Sequence, residues 1–349
     1  MEGLTIKPCE FFLVLNSIAD ENLYFRLPLY GIELFKISYF NGSVKGFYAF
    51  DSFNSFEGRV GAVFGRGVLS SCPDIPRFSM FRDALLSAGV IDPSNLSELN
   101  ERLRGLGPSL EEPVATFLAI DTNILYNRLL SRISVKGLPV IVSGCVLEEI
   151  GGLWRQHIDS KSLKILRKIQ EFPGCYKVNI LKNRTRSVKG RRAIAAFREY
   201  GNVKKLYKVY ETVSRKCFGD KAIIEDYADF KNKYRCKILL LTFDDEARAY
   251  AYGKGISNFF IKTPEQFSIK KIPLQLIPEL VYNLAVNFLM VEIRGDKGWA
   301  RVYSWWPSQK LDDALQGLLF VELPKDKVVK MNKRLGDIRE IGRLLSIDD

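Results

Sequence analysis

Residues 117–125 read Phe117-Leu118-Ala119-Ile120-Asp121-Thr122-Asn123-Ile124-Leu125, an apolar run that ends abruptly in acid. The run extends back to residue 114, which is the pattern of a strand buried on both faces, as in parallel sheets. Asp-Thr-Asn then predicts a strand end and a helix start. In open parallel sheets ligands bind outside the carboxyl ends of the strands. Asp121 therefore stands where chemistry is expected.

The flanking sequence repeats this pattern. Strands are predicted at 139–142, 175–181, 238–242 and 258–261, and helices at 144–156, 221–234 and 245–252. Such alternation implies an α/β fold with a parallel sheet. Three more acidic features stand in matching places. Glu148 and Glu149 lie on the helix after the second strand; Asp220 opens a later helix; Thr242-Phe243-Asp244-Asp245-Glu246 ends another apolar strand. Taken singly, Asp121 and Asp220 are ordinary helix caps. Glu148 and Glu149 alone are a solvated helix face, and residues 244–246 are first-turn acids favoured by the helix dipole. Together, carboxylates at one sheet edge repel each other unless a divalent cation compensates them. A cation so held makes hydroxide from water and shields a phosphodiester's developing charge.

This ordered set of acids resembles the PIN-domain nucleases, over residues 114–265 of the 349. The resemblance implies a Rossmann-like sheet and cleavage of single-stranded RNA, endonucleolytic and dependent on Mg²⁺ or Mn²⁺. It assigns Asp121, Glu149, Asp220 and Asp244 as catalytic metal ligands, with Glu148 an alternative to Glu149. Asn123, Thr242 and Asp245 become supporting residues, and Glu246 a further accessory acid. Metal-activated water would attack phosphorus, leaving a 5′-phosphate and a 3′-hydroxyl. The sequence departs from the family in two places. Phe243 stands where a small or polar residue is usual, and the gap from Glu149 to Asp220 implies an insertion.

Composition limits the alternatives. The single histidine, His157, reads as a surface residue and argues against a site built on a pair of His ligands; no two of the six cysteines form a CxxC pair. A metal site must then be built from carboxylates, which suits Mg²⁺ or Mn²⁺. The cysteines read as mostly buried thiols. With no membrane-length apolar run and no signal-peptide pattern at the start, a soluble cytoplasmic protein is expected. Scarce His with abundant Lys, Arg and Ile points to an archaeal or thermophilic source.

The net charge of +12 is concentrated. Residues 182–216 hold twelve Lys or Arg against Glu199 and Glu211, a net +10. Ordinary solvated faces mix signs, and this stretch does not. It reads as a basic insertion within the nuclease domain: a mobile loop over 182–192, then helices at 192–200 and 203–216. Such an arm steers a nucleic acid toward the acids. Arg184, Arg186, Lys189, Arg191, Arg192, Lys204, Lys205 and Lys208 are its candidate phosphate contacts.

The flanks carry no motif. Residues 1–75 read as a β-rich accessory domain with strands at 11–15, 24–27, 33–39, 45–50 and 59–64, and 76–113 as a helical linker. Residues 266–349 read as a small α+β region. The aromatic N-terminal strands, with Trp299, Tyr303, Trp305 and Trp306, are core or a stacking platform for single-stranded bases; the two β segments are free to pack as one unit. The leading reading is a metal-dependent endoribonuclease. Its rivals are a catalytically weak RNA-binding scaffold in a protein–RNA complex and a structure-specific DNA nuclease. RNA is favoured over DNA as partner, and a homodimer is left open.

Overall fold

The computed structural model describes residues 3–106, 114–133, 135, 137–177, 179–182, 184–213, 217 and 219–344, the side chains of Asp220 and residues 342–344 excepted. Expected features at 107–113 and 214–216, the ends of the linker and of the basic stretch, lie outside the described residues. The strands are β1 Leu4–Ile6, β2 Asn22–Leu27, β3 Ile32–Ser38, β4 Val44–Phe47, β5 Thr116–Ile120, β6 Val140–Val142, β7 Val209–Glu211, β8 Lys237–Thr242, β9 Ser257–Phe260, β10 Met290–Gly295, β11 Gly298–Tyr303 and β12 Leu319–Glu322. No described helix is long and apolar enough to cross a membrane.

The chain folds as two compact units, each assembled from separated segments. One comprises residues 86–156 and 192–268 and holds the five-stranded sheet β7-β6-β5-β8-β9, parallel throughout. Its centre is the pair β5 and β8, in register from Thr116 opposite Lys237 to Ile120 opposite Leu241. The interior of both strands is wholly apolar, so helices can cover both faces. Ile124, Leu125, Val146, Ile150, Ile223 and Tyr227 come from those helices and pack onto the strands.

The other unit comprises residues 1–85, 157–191 and 269–349. Its seven-stranded sheet runs β1-β12-β11-β10-β2-β3-β4, antiparallel at every pair. The β segments from the two ends of the chain thus share one sheet, joined where β10 pairs with β2 and where β1 pairs with β12. The partition into units falls after Leu85, Gln156, Arg191 and Ser268 and puts the expected N-terminal and C-terminal regions in one unit. It also divides the basic stretch, since Arg191 belongs to this unit and Arg192 to the parallel one.

Several expected elements are corrected. Residues 11–15 lie in the helix Phe11–Ile18, which buries Phe11, Val14, Leu15 and Ile18. Residues 59–64 end the helix Ala49–Phe64, whose buried positions are Ala49, Phe53, Phe56 and Val60. Both spacings are helical, but short apolar runs hid them. Residues 175–181 form no strand among those described. The basic stretch is not a loop and two helices: the helix Val188–Leu206 starts inside the expected loop, and β7 follows where the second helix was expected. Finally, the cysteines are not all thiols, because Cys145 and Cys217 form a disulfide.

Candidate active site

Asp121 follows the last residue of β5 with extended backbone and caps the helix Thr122–Tyr126. Its Oδ1 accepts from the Ile124 amide at 3.0 Å. Its Oδ2 accepts from the hydroxyl of Thr242. Parallel register explains that second bond: Ile120 and Leu241 are opposite each other, so the next residues of β5 and β8 emerge side by side. Asp121 is 5% exposed and Thr242 fully buried. A carboxylate that far out of water persists because its oxygens are hydrogen-bonded.

Thr242 also accepts from the Asp244 amide at 2.9 Å. Asp244 in turn caps the helix Asp245–Gly253, accepting from the amides of Glu246 at 2.7 Å and Ala247 at 3.1 Å. One threonine therefore ties the two strand-end acids together. Phe243, between them, packs against the hydrophobic core. Asp245 is exposed and paired with Arg248 at 2.7 Å.

Glu149 lies on the helix Gly144–Leu153, capped by Ser143. Its Oε2 accepts from the Thr122 hydroxyl at 2.7 Å. The acid on that helix is thus tied to the residue beside Asp121, and Glu149 rather than Glu148 carries this bond. Asn123 is exposed. Asp220 is the second residue of the helix Gly219–Tyr234, and its side chain lies outside those described. Its neighbour Gly219 lines a 240 Å³ cleft with Glu148, Glu149, Ile223 and the disulfide pair Cys145 and Cys217.

Sequence reading missed the residues that brace this edge. Tyr227, fully buried, donates to the Ile120 carbonyl at 2.6 Å and accepts from the Ser143 amide at 3.0 Å. It pins the ends of β5 and β6 together, and burial pushes its phenol well above the usual tyrosine range. Asp226, one residue earlier, accepts from Ser143 and from Thr212. Tyr126 is pushed up to about 12 by burial and then by the charge of Glu149, against the opposing pull of Arg192. The Arg192 guanidinium stands 5.5 Å from the Tyr126 ring centre. A cation of the basic stretch is therefore adjacent to the site.

The other basic candidates divide. Lys204, Lys205 and Lys208 are exposed in the same unit, with Lys204 paired to Glu211 at 3.1 Å. In the other unit Arg184 and Lys189 are exposed and Arg186 is half-buried. Arg191 is corrected: it is 5% exposed, and its guanidinium donates to the carbonyls of Val286, Asn287 and Arg186. It ties a helix start to the core and offers nothing to a phosphate.

Among the described residues no three His, Cys, Asp or Glu side chains are placed to hold a metal ion. The donors at the sheet edge are nevertheless all carboxylates, the chemistry that suits a hard divalent cation.

No curated protein matches the chain. The family model described as PIN domain matches residues 118–260, which run from within β5 to the end of β9 and include the acids just described. The centre of this chain is a PIN domain.

Proposed function

We propose that the PIN domain is an endonuclease for single-stranded RNA, with Mg²⁺ or Mn²⁺ held by Asp121, Glu149, Asp220 and Asp244. The observation that carries this reading is Asp121 itself. A carboxylate 5% exposed at a sheet edge, with one oxygen fixed by an amide and the other by a buried hydroxyl, has a fixed orientation. Aspartates that merely cap helices are seldom buried so far. When bound, the cation lowers the pKa of water and offsets the charge that develops on the phosphate. Thr242 keeps Asp121 aimed, and Thr122 keeps Glu149 beside it. Arg192, Lys204, Lys205 and Lys208 would draw the strand in through its phosphates.

The test is cleavage of a labelled single-stranded RNA with Mg²⁺ or Mn²⁺, against EDTA and against Asp121→Asn. Cleavage that needs the metal and is lost in Asp121→Asn is the expected result. Equal activity of the two proteins refutes the assignment. One observation favours a second reading, a catalytically weak RNA-binding scaffold: the described acids do not converge on a metal site. Calorimetric titration with Mn²⁺ separates the two, because a scaffold shows no binding that depends on Asp121.

A further inference from the structure

The antiparallel sheet carries two aligned rows of side chains on the face opposite its apolar one. Strand alternation puts Tyr24 and Arg26 on one side of β2, with Leu23, Phe25 and Leu27 buried on the other. One row crosses five strands: Glu33, Arg26, Glu292, Arg301 and Glu322. Its charges alternate, and each arginine lies between two glutamates, at 3.6 Å on both sides for Arg26 and at 2.7 and 3.5 Å for Arg301. That row pairs its own charges, with the buried Arg26 Nε at ion-pair rather than hydrogen-bond distance from Glu292.

The next row differs. Lys36, Tyr24, Arg294 and Trp299 stand side by side on β3, β2, β10 and β11. On β4 the place opposite Lys36 is Gly46, and the phenol of Tyr48 occupies the space a Cβ there would fill. The row therefore reads aromatic, cation, aromatic, cation, aromatic, with no acid in it. Tyr24 is 39% and Tyr48 45% exposed, and the Arg294 side chain 53%. Arg294 is paired through Nε with Glu292 of the neighbouring row at 2.6 Å. The Arg301 guanidinium lies between the rings of Trp299, at 4.2 Å, and Tyr176, at 3.8 Å, which fixes the indole. By contrast Tyr303, Trp305 and Trp306 are buried. Of the aromatic residues considered for stacking near the C-terminus, Trp299 alone stands in this row.

We infer that this row is a second nucleic-acid site, one that takes single strands. Neighbouring strands are about 4.8 Å apart, so Tyr24 and Trp299 stand roughly 10 Å apart with a cation between them. Lys36 Nζ lies over one face of the Tyr24 ring, 4.7 Å from its centre, and Arg301 over one face of Trp299. Bases therefore stack on the opposite faces while Lys36 and Arg294 meet the phosphates. A duplex hides its base faces and cannot use the rings. The absence of aliphatic side chains from the row argues against an apolar protein or membrane partner.

The experiment is fluorescence anisotropy with the full chain and labelled 12-mers: oligoribonucleotide, oligodeoxyribonucleotide and duplex. EDTA is present throughout, so no result depends on cleavage by the PIN domain. Tyr24→Ala and Trp299→Ala should each weaken single-strand binding by about 5- to 150-fold, the range for one base–aromatic stack. Trp299→Phe should keep most of the affinity while losing the tryptophan quenching expected of wild type on binding; circular dichroism verifies each fold. Tighter binding of ribo- or deoxyribo-oligomer identifies the natural strand, and both outcomes support the site. Unchanged affinity in both alanine variants, equal affinity for duplex, or binding only to anionic phosphatidylserine vesicles overturns it.

Discussion

The Thr242 hydroxyl donates to Asp121 and accepts from the Asp244 amide, so a single side chain satisfies two groups at the mouth of the sheet. Removing it leaves both without that partner in a buried place, at a cost of about 1–3 kcal/mol. Thr242→Val should therefore lower stability and reduce metal affinity or cleavage by about 10- to 100-fold, as loss of a ligand-orienting bond does. Thr242→Ser should retain most of both. Urea unfolding and Mn²⁺ titration of the two variants check this; equal behaviour of valine and serine would show the hydroxyl to be idle. At this scale much was legible. Asp-Thr-Asn after an apolar run and Thr-x-Asp after another mark strand ends, and Thr242 stands two residues before its acid. Thr122 lies inside the first motif, but its bond to Glu149 needs the helix to be in place. Tyr227 gave no local signal. A buried tyrosine hydroxyl requires a partner, yet its partners lie 107 and 84 residues away in sequence.

Among elements, the helix that carries Glu149 and the segment leading into Asp220 are joined covalently by Cys145–Cys217, closing a sequence separation of 72 residues. Cys145 occupies the second position of its helix, and Cys217 stands two residues before Gly219 opens the next. The bond therefore limits how far the Asp220 end of the cleft can move from Glu149. Cys217→Ser should cost about 2–4 kcal/mol of stability and lower cleavage without abolishing it. Thiol titration of unfolded protein should find four thiols before reduction, those of Cys9, Cys72, Cys175 and Cys236, and six after it. Six at the outset would remove the bond. Spacing without a CxxC pair concealed this link, because its two cysteines meet only after the sheet has formed. Local pattern also failed at β7. Three residues on an edge, Val209 to Glu211, follow directly on a long helix, and nothing in the period separates such a strand from a helix end. The central strands were legible because both faces are buried and the whole run is apolar.

For the molecule as a whole, the pairing of β2 with β10 spans most of the chain, and no local periodicity encodes it. Each unit is closed by segments remote in sequence, and each buries tyrosines whose phenols resist ionisation. Tyr30 and Tyr303 in the antiparallel unit, and Tyr126, Tyr200 and Tyr227 in the parallel one, are all raised, in each case first by burial. Tyr126 reaches about 12, and the others lie higher. Below the ordinary tyrosine value, near 10, folded and unfolded chains both keep these protons and stability is unaffected. Above it the unfolded chain releases them while the folded chain does not. The unfolded state then binds fewer protons, so stability falls as pH rises. Each such tyrosine contributes a loss of up to roughly 1.4 kcal/mol per pH unit until its own folded value is passed, which for Tyr126 closes the window near 12. Burial also raises the thiols of Cys72, Cys175 and Cys236, whose ordinary value is about 8.5. Urea midpoints should therefore begin to fall above about pH 8.5 and drop most steeply between about pH 10 and 11. The share of the tyrosinate absorbance that belongs to these five phenols, of fifteen tyrosines in the chain, should appear only with unfolding. A midpoint that stays constant to pH 11, or tyrosinate absorbance that rises fully while the protein remains folded, would mean that these phenols reach solvent and that neither unit is closed as described.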